Sequence, residues 1–166
     1  MIDNLVLSLI FKTTSKFLPF IAKRIYPESQ FKNDVLIDVR STNPISFSLS
    51  SNIPTGSIYL KIINKSPYLD AVLEKVEFSL WIGSDKGHQP LIKNYETFLR
   101  EMVKRGDEKE LYFCRELNCF QVDFLREIKE SKEIIADLLG GQLYVNSSLY
   151  TTKKEVKLEN KPCRIG

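Results

Sequence analysis

Apolar and polar residues alternate along two central stretches of the chain. Ile58, Leu60 and Ile62 alternate with Tyr59, Lys61 and Ile63, and Val76, Phe78, Leu80 and Ile82 alternate with Lys75, Glu77, Ser79 and Trp81. A period of two puts each set on one face of an extended strand, so residues 56–64 and 72–82 are predicted to be half-buried strands. The stretch from Asn64 to Asp70 is too long for a two-residue turn and contains Pro67, which cannot donate to a central ladder. The two strands are therefore expected to form an antiparallel pair joined by an ordered loop.

The first 25 residues follow a different rhythm. Ile2, Leu5, Val6, Leu9, Ile10, Phe17, Phe20 and Ile21 recur at three- and four-residue spacing, with Asn4, Ser8, Lys12, Lys16 and Lys23 on the other side. This is the pattern of an amphipathic helix, which Pro19 is expected to bend. Lys12 and Lys16 fall in mid-segment, which disfavours a membrane span, since a span needs about 20 uninterrupted apolar residues. A cleavable signal is disfavoured too, because the apolar run precedes the charges. Two readings remain open. In one, the helix lies in a membrane interface, with Leu5, Val6, Leu9, Ile10, Phe17, Phe20 and Ile21 in the acyl boundary and Lys12, Lys16, Lys23 and Arg24 toward anionic head groups. In the other, the same stripe packs on its own domain, on a second copy or on a partner protein. Residues 26–33 are polar, contain Pro27, and read as a linker to a domain spanning 34–166.

Further short strands are expected at 35–39, 45–50, 110–115, 142–146 and 154–158. Turn residues lie at 52–56 and 83–87. Within the segment 88–120, residues 95–104 are ambiguous. Tyr95, Phe98, Leu99, Met102 and Val103 match a helix capped by Asn94, whereas the surrounding architecture wants strands, a reading we favour slightly. Val122 to Leu139 reads as a helix whose stripe is Leu125, Ile128, Ile135, Leu138 and Leu139, stopped by Gly140 and Gly141. About seven short strands with one late helix point to a mainly β domain, a β-sandwich.

Composition changes this picture little. The chain has 166 residues, 43% hydrophobic and 27% charged, which suits one folded domain with a proper core. A net charge of +3, from 24 basic and 21 acidic residues, is too balanced to indicate nucleic acid, and Lys153 and Lys154 beside Tyr144 and Tyr150 make only a thin basic-aromatic patch. Cys114, Cys119 and Cys163 form no even framework, and with the single His88 they make no zinc set. Reduced, buried, inert thiols in a cytosolic compartment are expected. His88 sits in a turn with no evident orienting partner, so it is expected to be a solvent-exposed loop residue. Asp123, Glu127 and Glu130 lack the Gly-containing loop of a calcium site and read as a solvated face. No Gly-rich loop enters a helix, so no phosphate cradle of that type is expected. No cofactor, metal or catalytic residue is predicted.

Residues 56–83, with Leu138, Gly140, Gly141, Leu143 and Val145 and the closing strand, resemble the late-embryogenesis-abundant group 2 family, also called the water-stress and hypersensitive-response domain. In that family a strand ends in an Asn-Pro-Asn-type loop. Here Asn64 and Pro67 match in kind but not in spacing, and the likeness spans roughly residues 35–158. The resemblance implies an immunoglobulin- or fibronectin-like sandwich and a non-enzymatic domain linked to stress protection, often placed beside a membrane by an N-terminal hydrophobic segment. The expected protein is thus a binding module, cytoplasmic and peripheral to the inner face of a membrane. The alternative is a soluble subunit whose N-terminal helix completes an oligomer.

Overall fold

The computed structural model describes residues 18–131 and 133–166. Its elements are α1 (Leu18–Ile25), α2 (Glu28–Asp34), β1 (Val35–Val39), β2 (Ile45–Ser48), β3 (Thr55–Asn64), β4 (Ala71–Ser84), β5 (Gly87–Val103), β6 (Glu108–Glu116), α3 (Cys119–Ile128), β7 (Ile134–Asn146) and β8 (Thr151–Ile165). The chain is mainly β. All eight strands belong to one open sheet in the order β1-β3-β2-β8-β7-β4-β5, with β6 on the other edge of β3. Pairing is antiparallel except between β2 and the end of β8, where Ile45 to Phe47 run parallel to Cys163 to Ile165.

The alternation in β3 and β4 is realised as read. Ile58, Leu60 and Ile62 of β3 and Val76, Phe78, Leu80 and Ile82 of β4 are buried, with more exposed residues between them. The two strands are not partners, however, and this corrects the expected hairpin. β3 pairs with β1, β2 and β6, while β4 pairs with β5 and β7. A one-sided apolar face can be covered by a facing layer as well as by a neighbour, and the contacts here are across the core. The ring of Phe113 on β6 meets Phe78 on β4 and Tyr95 on β5 edge-on, each at 5.9 Å.

The loop after β3 is thus a crossover, and Asn64 holds it. Its buried amide donates from Nδ2 to the carbonyls of Leu69 (2.9 Å) and Val103 (3.0 Å), and its Oδ1 accepts from the Ser66 N–H (3.1 Å). The Ser66 hydroxyl in turn accepts from the N–H groups of Tyr68 and Leu69. A loop this deep is tolerable only because its polar atoms are matched inside the protein.

Two other expectations need correction, and one ambiguity is resolved. Residues 26–33 are not a linker: they include most of α2, and Tyr26 and Phe31 are buried. Phe31 stacks on Tyr150 at 6.1 Å, and the Tyr150 hydroxyl donates to the Tyr26 carbonyl. Two aromatic residues in a polar stretch outweighed its loop-like composition. The ambiguous residues 95–104, favoured as strand, are strand: β5 runs through them to Val103. Asn94 (φ 49°) and Arg100 (φ 52°) lie where the register with β4 shifts. The helical spacing is counterfeited by Phe98 and Met102, which are exposed, standing beside the more buried Tyr95, Leu99 and Val103 of a strict alternation.

The late helix is shorter than its stripe suggested. α3 starts at a capping box between Asn118 and Gln121, buries Val122, Leu125 and Ile128, and ends there. Ile135, Leu138 and Leu139 instead belong to β7. Gly140 and Gly141 are not a helix stop but an irregularity where β7 shifts register against β8. Gly140 has φ 64°, and a Cβ on Gly141 would lie 2.0 Å from the Glu77 carbonyl oxygen, so that approach of β7 to β4 admits only glycine.

Asn64→Ala leaves two buried carbonyls and one buried N–H without their partner. Chemical denaturation should show a loss of about 3 kcal/mol, with the whole transition shifted rather than one part of it.

Candidate functional site

Two places bring functional side chains together. The first is the corner between α1 and α2. Ala22 and Tyr26 face inward and are buried, the Tyr26 N–H donates to the Ala22 carbonyl, and the Tyr26 hydroxyl donates to Asp34. Tyr26 also packs edge-on to Tyr68 at 5.2 Å. Burial and the Asp34 carboxylate push the Tyr26 phenol well above its ordinary range, so it stays a neutral donor. The opposite side of α1 carries Phe20 (74% exposed), Ile21 (46%) and Ile25 (39%), with Lys23 and Arg24 also exposed. Lys23 reaches over the Tyr150 ring at 5.6 Å.

Of the residues predicted to contact a membrane or partner, the structure therefore places Phe20, Ile21, Lys23 and Arg24 on one exposed helix surface. Leu5, Val6, Leu9, Ile10, Lys12, Lys16 and Phe17 lie outside the described residues, as does all of the chain before Leu18, so the bend expected at Pro19 falls outside them too. Among the described residues no helix is long and apolar enough to cross a membrane.

The second place is an open cleft of about 700 Å³ at the end of the β4–β5 hairpin, lined by Ser84, Asp85, His88, Glu133, Ile135 and Asp137 among others. His88 does have an orienting partner, contrary to expectation. Its Nε2 lies 3.0 Å from Asp137 Oδ2, and the other carboxylate oxygen of Asp137 accepts from the Asn160 N–H at 2.7 Å. The imidazole also lies 5.3 Å from the Trp81 ring, tilted by 31°, and against Gly83 so closely that a Cβ there would meet it at 2.9 Å. The pairings Trp81 with Asp137 and Gly83 with His88 across three neighbouring strands build this arrangement. No local sequence signal could have found it, since the partners are brought together only by strand register. A carboxylate-held imidazole can accept or donate a proton at its free nitrogen. Among the described residues no serine or cysteine bonds to it, and no three side chains converge as a metal site.

The other candidates separate. Cys114 and Cys119 are free and exposed, not buried as expected, because β6 turns Cys114 outward and Cys119 opens α3. Cys163 is the shielded thiol, and burial pushes its pKa up to about 12. The basic-aromatic patch is divided: Lys75 and Lys153 flank the Tyr144 ring at 4.7 Å, while Lys154 donates to the Lys32 carbonyl, and burial with Lys32 nearby lowers its pKa.

No protein-family model matches the chain, and no curated protein matches it. Solved structures do. One is a structural genomics target, with a TM-score of 0.44, 14% identity and coverage of 78% of this chain and 88% of that one. Another is the solution structure of a protein provisionally described as late embryogenesis abundant, with a TM-score of 0.44, 11% identity and coverage of 97% and 91%. A third is a Pseudomonas fluorescens alkylpurine DNA glycosylase bound to DNA containing an abasic site analogue, with a TM-score of 0.30 and 11% identity. It covers 91% of this chain, which spans 42% of that one.

Two measurements check these assignments. In the native protein near pH 8, a thiol reagent should modify Cys114 and Cys119 quickly and Cys163 only after unfolding, so a C114S/C119S variant should show almost no native reactivity. Asp137→Ala, which strands the Asn160 N–H and His88, should cost about 2 kcal/mol in urea denaturation, and His88→Ala, losing a half-exposed group, should cost less.

Proposed function

We propose that this chain is a non-enzymatic binding module that docks on an anionic membrane surface through the outward side of α1. The observation that carries the reading is the exposure of Phe20, Ile21 and Ile25 beside Lys23 and Arg24 on a helix whose other side is fastened by Ala22 and Tyr26. Rigidly mounted apolar side chains flanked by cations suit the boundary between head groups and acyl chains. Each apolar side chain contributes up to about 1.5–3 kcal/mol if fully withdrawn from water, and each cation contributes about 1 kcal/mol near an anionic surface. The sum suits reversible, peripheral attachment.

The finer reading follows from the sequence. The two facing halves of the sheet are taken as the layers of an immunoglobulin- or fibronectin-like sandwich, and the role as stress protection of the kind the late-embryogenesis-abundant group 2 resemblance implies. The protein is placed on the cytoplasmic side, peripheral to the inner face of a membrane, where the anionic leaflet and a reducing environment match the cationic helix and the exposed free thiols.

Vesicle co-sedimentation of the full chain tests this. The protein should pellet with phosphatidylserine-containing vesicles, and a F20S/I21S/I25S variant should stay in the supernatant while melting at nearly the wild-type temperature. K23Q/R24Q should weaken binding roughly tenfold on anionic vesicles and leave neutral ones unaffected. Equal supernatant recovery of wild type and triple variant would overturn the reading. So would a change in oligomeric size in the triple variant with vesicle binding unaltered, which would make the occupant a second copy.

A further inference from the structure

We infer that the outer face of β8, β2 and β3 carries a binding pocket for a phosphate monoester. β2 lies between β3 and the end of β8, and its register sets Ser46 opposite Ser57 on one side and Arg164 on the other. Cross-strand partners share a face, so a guanidinium and two hydroxyls form a row across three strands. Tyr59, two residues beyond Ser57, extends the same face along β3. Arg40, just after β1, returns to this surface, and its backbone N–H donates to the Tyr59 carbonyl.

The Arg40 side chain is mounted in advance. Its guanidinium carbon lies 3.4 Å from the Tyr59 ring centroid. Nε donates to the Thr42 carbonyl at 2.6 Å, and one terminal nitrogen donates to the Asn43 carbonyl at 3.2 Å. Stacking and two carbonyls fix the plane and leave the remaining N–H groups for another acceptor. These side chains line a cleft of about 330 Å³ whose lining contains two arginines, four serines and no acidic side chain. Eight ion pairs link other residues, yet neither Arg40 nor Arg164 is paired to a carboxylate among the described residues.

Two guanidiniums with no acidic side chain in the lining, set beside hydroxyls, are a donor set for a compact, multiply charged acceptor. Arginine forks match phosphate oxygens two at a time, and the hydroxyls of Ser46, Ser48 and Ser50 supply donors for the other edges of a tetrahedral group, whereas the Ser57 hydroxyl already donates to Cys114 Sγ and lies 3.2 Å from the Tyr112 hydroxyl. A single carboxylate would leave most of these donors idle. The cleft has room for a phosphoryl group and a small piece of what carries it. That carrier is either a soluble molecule or a lipid head group, and the chemistry recognised is the same. The pocket is built from strands and does not involve α1, so it stands or falls separately from membrane docking.

The test uses the full chain followed by amide NMR during titration with inorganic phosphate and with phosphoserine, each against sodium chloride at matched ionic strength. Saturable shifts at Ser46, Ser57 and Arg164 are expected with both phosphate probes and not with chloride. R40Q and R164Q should each weaken binding roughly tenfold or more, while R40K, which keeps the charge but loses the fork, should be intermediate. R164Q alters an exposed side chain, so it keeps the test valid should R40Q fold poorly. Vesicles in which phosphatidic acid replaces phosphatidylserine at equal charge, used with the F20S/I21S/I25S background, separate the sources. A preference for phosphatidic acid that R164Q abolishes assigns a lipid head group, whereas saturation by phosphoserine without that preference assigns a soluble monoester. Shifts that chloride reproduces, or phosphate binding unchanged in both R40Q and R164Q, overturn the inference.

Discussion

The alternate side chains of β3 and β4 leave water in one shared core, where Phe113 of β6 meets Phe78 of β4 and Tyr95 of β5, and β8 is the hydrogen-bonded link between the two halves of the sheet. It runs antiparallel along β7 for most of its length, then delivers Cys163 to Ile165 to β2. The register shifts along β7 and β8 fall in the part of the strand pair that precedes this transfer, where extra residues let a twisted strand bend. Gly141 belongs to the same device, since it lets β7 lie against the Glu77 carbonyl of β4.

The crossover corner depends on the same enclosure. Asn64 is buried because β3 ends beneath the Lys104–Asp107 turn, where the Asn64 N–H donates to Asp107 and its carbonyl accepts from Gly106. Every polar group of that residue is matched, so its burial adds specificity to the chain path without leaving an orphaned atom. The N-terminal helices are joined to this frame through Phe31, Tyr26 and Tyr150, all aromatic, and two of them with hydroxyls bonded. The frame in this way decides which side of α1 is spent on the protein and which side is offered outward.

The amphipathic character of residues 18–25 was legible beforehand, because a helix shows its two sides in the spacing of its residues. That Lys23 shares the exposed side with Phe20 and Ile21, rather than lying opposite them, was not. Tyr26 and Phe31 were misjudged because single aromatic residues in a polar stretch have no period from which burial can be inferred. The same limit applies at Phe98 and Met102, apolar residues that the strand's alternation puts on its exposed side. The Ile135 to Leu139 stripe misled in the opposite sense. Buried on both faces and interrupted by a glycine irregularity, a strand can present neighbouring apolar residues that imitate a helix turn.

The amino-acid sequence by itself determined the β character of the domain, the inward faces of β3 and β4 and the amphipathic nature of α1, because each is a property of residues a few positions apart. Only the tertiary structure decided which strands pair, that the Asn64 loop crosses between halves, and that His88 meets Asp137 and Arg164 meets Ser46. Those juxtapositions depend on register between segments as much as 118 positions apart, as with Ser46 and Arg164. Register is chosen by burying the whole core at once, so no local pattern encodes it.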